Sequence, residues 1–186
     1  MVDPAVKRAT LADLEALPEG VVGELIQGVL TTMARPRLRH QRASGRIFGD
    51  VEGRFDRNGG PQGWWILTEP GIALHALDVD EIVPDIAGWR RERLPELPEN
   101  RIDVVPDWVC EVLSPSTRSH DQRIKRPLYA QAGVKWMWVV DVDAKTLVVS
   151  RNEGGRWLEI GVFGDDDVMH AEPFEVLPIE LRDLWT

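Results

Sequence analysis

Two carboxylates lie inside strongly apolar runs of this chain, and they constrain its fold more than any other sequence feature. Asp85 stands in IVPDIAGW and Glu111 stands in DWVCEVLS. Short apolar runs rich in valine and isoleucine are typical of buried strands. An ionised carboxylate in such a strand costs several kcal/mol unless a cation, a metal ion or a proton compensates it. Two such positions close together in sequence therefore predict a metal site.

Length and composition predict one compact domain that spans residues 1–186. A chain of this length buries roughly 70% of the surface of its unfolded state. A hydrophobic fraction of 43% with 28% charged residues is typical of a globular protein. No internal repeat, low-complexity tract or Gly/Ser linker divides the sequence. The single cysteine, Cys110, excludes a disulfide framework and a cysteine-rich zinc site.

Hydropathy and net charge limit the partners of the chain. No uninterrupted apolar stretch approaches the ~20 residues of a membrane span, and MVDPAVKRAT lacks the apolar core of a signal peptide. We therefore expect a cytoplasmic protein without a membrane partner. The formal net charge of −9 excludes a protein that coats nucleic acid indiscriminately, because its overall field repels phosphate.

A basic segment between positions 35 and 46 departs from this acidic average, because it contains no aspartate or glutamate. Such runs are usually solvated faces. The other interpretation is a surface that contacts nucleic acid, since the basic runs flank the carboxylate positions in sequence. The candidate contacts are Arg35, Arg37, Arg39, His40 and Arg42.

Hydrophobic periodicity predicts a chain dominated by strands, with helices inserted. The predicted strands are VVGELIQGVL, bent near Gly28, and the runs WWILTEPGIALH, IVPDIAGW, VVPDWVCEVLS, VKWMWVVDV, TLVVSR and RWLEIGVF. Thr10 and Asp13 predict a capped short helix, and a second helix is expected from His40 to Arg57. A third, from Ser119 to Ala132, contains Pro127 and therefore needs a kink or a fresh start near Arg126.

The strand period places Glu111 on one face with Asp107, Val109 and Leu113. If the strand that contains Asp85 lies beside it, both carboxylates converge within reach of one divalent cation. Oxygen ligands of this kind favour Mg²⁺ or Mn²⁺.

The third predicted helix brings a lysine toward this site. Asp121, Lys125 and Tyr129 are spaced four apart and line one face of the helix. The alternative is that Asp121 and Lys125 form an ordinary surface ion pair.

Asp85, Glu111 in E-V-L and a lysine on the following helix resemble the PD-(D/E)XK nuclease active site, in the variant whose lysine has moved off the glutamate strand. The segment PDWVCEVLSPSTRSHDQRIKRPLYAQAGVKWMWVVDVD resembles the Uma-two family of restriction-endonuclease-like proteins in its EVLSPST, D-x-x-x-K, Y-A-x-A-G-V and W-V-V-D elements. The likeness extends to GELIQG around Glu24, to His40 and to VPDIAGW, and so covers nearly the whole chain.

The resemblance implies an α/β, restriction-endonuclease-like fold with a mixed central β-sheet flanked by helices, often in a homodimer. It implies that Asp85 and Glu111 hold Mg²⁺ or Mn²⁺, and that Lys125 is a general base or stabilises the transition state. Glu24 matches an acidic position of the family and either completes the metal shell or is an ordinary edge-strand glutamate. The implied function is metal-dependent endonuclease cleavage of nucleic acid, with DNA expected.

One departure from the simplest motif bears on this function. Leu113 occupies the position where that motif carries its lysine, so activity depends wholly on Lys125 reaching the site. The alternative hypothesis is a catalytically inactive nucleic-acid-binding or protein-interaction module on the same fold, because fold alone does not determine function.

Overall fold

A computed structural model describes residues 8–33, 36–57 and 63–185. Its strands form two main sheets and one small two-stranded sheet. The strands are β1 (Gly23–Ile26), β2 (Val29–Thr32), β3 (Trp64–Thr68), β4 (Ile72–Leu74), β5 (Val79–Ile82), β6 (Ile86–Arg90), β7 (Trp108–Leu113), β8 (Trp136–Asp141), β9 (Thr146–Glu153), β10 (Arg156–Gly164), β11 (Val168–Met169) and β12 (Ile179–Glu180). The α-helices are α1 (Leu11–Glu15), α2 (Leu38–Val51), α3 (Arg118–His120) and α4 (Arg126–Ala132).

The large sheet has the strand order β10-β9-β8-β7-β6-β3, and the small sheet has the order β2-β1-β5-β4. In the large sheet β7 and β8 are parallel, while the other neighbouring strands are antiparallel. The parallel pair needs a crossover connection, and α3 and α4 supply it. This mixed α/β architecture confirms the predicted fold class. No helix in the described ranges has the length and apolarity that a membrane span requires.

Strand β7 lies inside the large sheet and is buried on both faces. Trp108, Cys110 and Val112 face a core that α2 and the C-terminal segment cover. Val109 faces a second core, which α4 and the small sheet cover. Because both faces are covered, the strand is apolar along nearly its whole length. The predicted alternation of its side chains is confirmed.

Helix α2 packs through residues spaced four apart, Ala43, Ile47 and Val51, all fully buried. This spacing places them on one helical stripe. The helix begins at Leu38, two residues before the predicted start. After Val51 it continues as a π-helical turn over Glu52–Asp56, so the predicted end near Arg57 is confirmed.

The predicted bent strand VVGELIQGVL is wrong, because it forms two antiparallel strands, β1 and β2. Gln27 and Gly28 join them with φ angles of 52° and 76°. Two successive residues with positive φ fold the chain back on itself in a tight hairpin. Strand β1 thereby lies between β2 and β5, inside the small sheet.

Pro127 occupies the first turn of α4, where a missing N–H breaks no helical hydrogen bond. The preceding residues, Asp121–Lys125, form a π-helical turn that connects α3 to α4. The prediction of a kink or a fresh start near Arg126 corresponds to this π-helical turn, after which α4 begins at Arg126.

Asp85 does not lie within a strand, contrary to the sequence prediction. It is the last residue of the link 83–85, which carries the chain from β5 of the small sheet to β6 of the large sheet. The apolar run around Asp85 is therefore two strands interrupted by a crossing between sheets.

Two glycine-to-alanine substitutions should have opposite effects on stability. At Gly28 an added Cβ would adopt positive φ and lie 2.9 Å from the Cβ of Arg8, so we expect Gly28→Ala to lower the free energy of unfolding by about 1 kcal/mol or more. At Gly45, inside α2, no heavy atom lies within 4 Å of the added Cβ, so Gly45→Ala should raise it by up to about 1 kcal/mol. Urea unfolding measures the free energy of unfolding of both variants. Equal changes for Gly28→Ala and Gly45→Ala would contradict the positive φ of Gly28 in the hairpin.

Candidate active site

A cavity of about 790 Å³ opens where the link 83–85 passes between the two sheets. Its lining includes the predicted residues Asp85, Glu111 and Lys125. Glu111 comes from β7, Asp85 from the link, and Lys125 from the π-helical turn of the crossover. The structure thus brings the predicted trio together.

Lys125 is buried, with a side chain that is 2% exposed, and its ammonium lies among carboxylates. Its Nζ lies 2.8 Å from Glu111 Oε1, 3.4 Å from Glu24 Oε1 and 3.7 Å from Asp121 Oδ1. Nζ also donates a hydrogen bond to the carbonyl of Val83 at 2.8 Å. The alternative of a surface ion pair between Asp121 and Lys125 is wrong, because both side chains are buried.

The charge of Lys125 is stabilised by its surroundings. Burial alone lowers the pKa of its amine, but the carboxylates of Glu111 and Glu24 outweigh burial and raise that pKa above its ordinary value. Lys125 therefore carries its positive charge at neutral pH.

Glu24 is fully buried in β1, so the interpretation of an edge-strand glutamate is wrong. Its Oε1 accepts a hydrogen bond from Val83 N at 2.9 Å, and its Oε2 lies 2.6 Å from His120 Nε2. Burial raises the pKa of Glu24, but Lys125, His120 and the Val83 amide together lower it below its ordinary value. Both carboxylate oxygens thus already have partners.

Glu111 and Asp85 lie side by side where β6 pairs with β7. Glu111 Oε1 accepts a hydrogen bond from Tyr129 at 2.8 Å, and its Oε2 lies 3.4 Å from Asp85 N. Asp85 Oδ2 accepts a hydrogen bond from Val112 N at 2.7 Å. Burial raises the pKa of Glu111 well above its ordinary value; Asp85 and Asp121 raise it further, and Lys125 offsets only part of this.

Among the described candidate contacts of the predicted basic segment, His40 and Arg37 line the cavity. His40 Nε2 lies 3.1 Å from Asp85 Oδ1, so His40 holds a candidate metal ligand instead of projecting toward a partner. Burial lowers the pKa of His40, but the hydrogen bond and charge of Asp85 outweigh burial and raise it.

The other candidate contacts of this segment lie elsewhere. Arg39 and Arg42 are exposed on α2 and do not belong to the cavity lining as far as the chain is described. Arg35 lies outside the described residues.

His120 is a site residue that the sequence prediction missed. Regular helical spacing of four pairs Lys125 with Asp121 and leaves His120 off that face. The π-helical turn holds more residues per turn, so His120 and Asp121 both reach the cluster. The only sequence signal for this irregular turn is Pro127, because proline inside a regular α-helix breaks a hydrogen bond.

The residues fit a divalent cation bound through few protein ligands. Among the described residues, four carboxyl groups lie around the single ammonium of Lys125 and outnumber it; they are Glu24, Asp85, Glu111 and Asp121. Asp85 and Glu111 offer oxygens toward the cavity, the donors that Mg²⁺ prefers when it keeps several waters. The described ranges contain no cluster of three or more His, Cys, Asp or Glu arranged around a metal position. A closed protein cage therefore does not fit, whereas two carboxylate ligands do.

Comparison with solved structures finds the same fold in a crystal structure. The chain is similar to the crystal structure of a "putative nuclease belonging to DUF820" from Anabaena variabilis ATCC 29413, with a TM-score of 0.75 and 22% sequence identity over 95% of this chain and 97% of that chain. The family model described as "Uma2: Putative restriction endonuclease" matches residues 10–182. This chain belongs to that family, which confirms the resemblance seen in the sequence. No curated protein matches the chain in sequence.

Removing the ammonium of Lys125 should be far more costly than removing an exposed one. We expect Lys125→Met to lower the free energy of unfolding by about 3–5 kcal/mol, because it leaves Glu24 and Glu111 as buried charges without a cation. The control Lys135→Met should cost less than about 1 kcal/mol. Lys135 is 50% exposed, and its partner Asp107 keeps Arg93. Denaturant unfolding measures both losses.

The pH dependence of the same variants separates charge from packing. An acid whose pKa is higher in the folded than in the unfolded chain binds more protons when folded, so stability falls as pH rises above the unfolded pKa. Lys125→Met raises the pKa of Glu111 above the already raised value it has in the wild type. Both proteins therefore lose stability alike as pH first rises, and the deficit of the variant should grow only above the raised wild-type pKa of Glu111, where the variant alone continues to lose stability. The double variant Lys125→Met/Glu111→Gln should recover part of the loss. If the loss in the free energy of unfolding does not change with pH, the effect of Lys125→Met comes from packing and not from charge.

Proposed function

We propose that this protein is a metal-dependent endonuclease that hydrolyses phosphodiester bonds of nucleic acid, with DNA as the expected substrate. The observation that carries the proposal is the meeting of Asp85, Glu111 and Lys125 at one cavity. The family description and the name of the similar Anabaena protein support it. We propose further that residues 1–186 act as one domain, because both sheets contribute to the site.

Asp85 and Glu111 would hold Mg²⁺ or Mn²⁺, which when bound would polarise a phosphoryl oxygen and lower the pKa of a coordinated water. Their shared place in the lining of the cavity supports this assignment, because carboxylate oxygens are ligands that Mg²⁺ prefers.

Lys125 would stabilise the negative charge that develops on the phosphate in the transition state. An amine can act as a general base only in its neutral form, because the ammonium has no lone pair to accept a proton. Because Glu111 and Glu24 raise the pKa of Lys125, the amine is held in its charged form, which argues against the role of a base. Glu24 would fix the position of Lys125 instead of completing the metal shell, since it contacts Lys125 and His120 and, unlike Asp85 and Glu111, is not part of the described cavity lining.

The same proposal includes the oligomeric state and the cellular location of the protein. A homodimer would place two sites around a two-fold axis, so that each site could engage one strand. The buried free thiol of Cys110 is compatible with the reducing cytoplasm.

Metal binding and cleavage should disappear together in Glu111→Gln. We expect wild-type protein to bind Mn²⁺ in calorimetry and to cleave plasmid or single-stranded DNA with Mg²⁺ or Mn²⁺. Glu111→Gln should remove the binding and lower the cleavage rate by about 100-fold or more, because the metal loses one of two carboxylate ligands. The control Glu175→Gln changes an exposed residue outside the cavity lining and should retain both.

The same titration decides between the two functional hypotheses. A wild-type protein that is folded but binds no Mn²⁺ and cuts neither substrate would refute the nuclease and favour the inactive binding module.

Arg37 at the cavity rim should contribute to nucleic-acid binding through charge. We expect Arg37→Ala to weaken binding and to reduce the slope of log affinity against log salt by about 0.7–0.9, the value for one lost phosphate contact. Arg156→Ala, at an exposed position of β10 outside the lining, is the control and should leave the slope unchanged. Fluorescence anisotropy over a salt series measures the slopes. An unchanged slope for Arg37→Ala would show that Arg37 does not contact the phosphates.

A further inference from the structure

The lining of the cavity above the carboxylates has two chemically different parts. Val21, Val22 and Met33, which flank the hairpin of β1 and β2, supply apolar surface. Val21 remains 39% exposed, so this surface is available to a ligand. Such side chains offer contact area to a base or a sugar but no hydrogen bonds.

The second part of the lining is a group of hydroxyls between β7 and α3. Ser114 Oγ lies 3.0 Å from Ser116 Oγ and 2.9 Å from Thr117 Oγ1, and all three residues line the cavity. Hydroxyls are common donors to phosphate oxygens in complexes with nucleic acid. The cavity therefore presents surfaces for both parts of a nucleotide.

The reactive groups lie at the bottom of this cavity. The side chains of Glu111 and Lys125 are only 1% and 2% exposed, whereas Arg37 and Ser116 near the entrance are exposed. A phosphate must therefore enter the cavity to reach them. The volume of about 790 Å³ is within the usual range of small-molecule sites, which suits one or two nucleotides.

An intact duplex fits such a cavity poorly because it is stiff. Its persistence length is about 150 base pairs, so forcing a sharp local bend costs several kcal/mol. An unpaired strand has no such stiffness and can place one nucleotide in a pocket, as occurs when a base leaves the helical stack.

We propose that the cavity binds an unpaired nucleotide, so that single-stranded segments and frayed ends, in preference to intact duplex, are the substrate. The inference rests on the proposed function for cleavage, but binding tests it separately. In the proposed homodimer, each subunit would then bind its own unpaired nucleic-acid strand.

Binding of matched oligonucleotides tests the inference directly. Fluorescence anisotropy would compare a labelled single strand of about a dozen nucleotides with its duplex, in Ca²⁺ to prevent cleavage. We expect the single strand to bind at least about tenfold more tightly. Equal or tighter binding of the duplex would overturn the inference.

A matched pair of variants ties the preference to the cavity. Val21→Glu places a carboxylate on the apolar part of the lining and should weaken single-strand binding at least about fivefold, through repulsion of the phosphates. Val29→Glu makes the same change at a 63% exposed position of β2 outside the lining and should stay within about twofold of wild type. Equal affinities of the two variants would overturn the inference.

The two proposals fail in distinguishable ways. Preferential single-strand binding that Val21→Glu weakens, without cleavage by the wild type, would refute the nuclease and retain the binding site. Cleavage of duplex with equal binding of both oligonucleotides would retain the nuclease and refute the preference for unpaired strands.

Discussion

The ammonium of Lys125 joins parts of the molecule that are distant in sequence. It contacts Glu24 from the small sheet, Glu111 from the large sheet and the carbonyl of Val83 in the link between them. Because the amine is buried, each of these contacts acts in a medium that screens charge weakly. The relative position of the two sheets and the crossover, and with it the shape of the cavity, therefore depends on this charged group as well as on the apolar core that the sheets share with α4.

A buried ion network of this kind contributes little net stability to a fold. Replacing a buried ion network by packed apolar side chains is often neutral or stabilising, because desolvation offsets much of the attraction between charges. Here the carboxylates outnumber the lysine in the described cluster, and burial together with the charges of Asp85 and Asp121 raises the pKa of Glu111. A chain under selection for stability alone would have less reason to keep this excess, which is why we connect it with catalysis instead of with folding.

The sequence predicted those features that depend on local periodicity and failed where distant segments meet. The alternation around Glu111 and the helix restart at Pro127 follow from the strand period and from the missing proline N–H. The position of Asp85 outside a strand could not be predicted, because an apolar run looks the same whether one strand or two contain it. The role of His120 depends on a π-helical turn, and the interior position of Glu24 depends on pairing between distant strands.

Tyr129 gives this molecule a native spectroscopic reporter. It is the only tyrosine of the chain, and its hydroxyl donates a hydrogen bond to Glu111 in the buried cluster. Biosynthetic replacement of tyrosine by fluorotyrosine would introduce one ¹⁹F nucleus, whose resonance needs no assignment. Its chemical shift would follow the electrostatic state of Glu111 during titration with metal or oligonucleotide, without any mutation at the site.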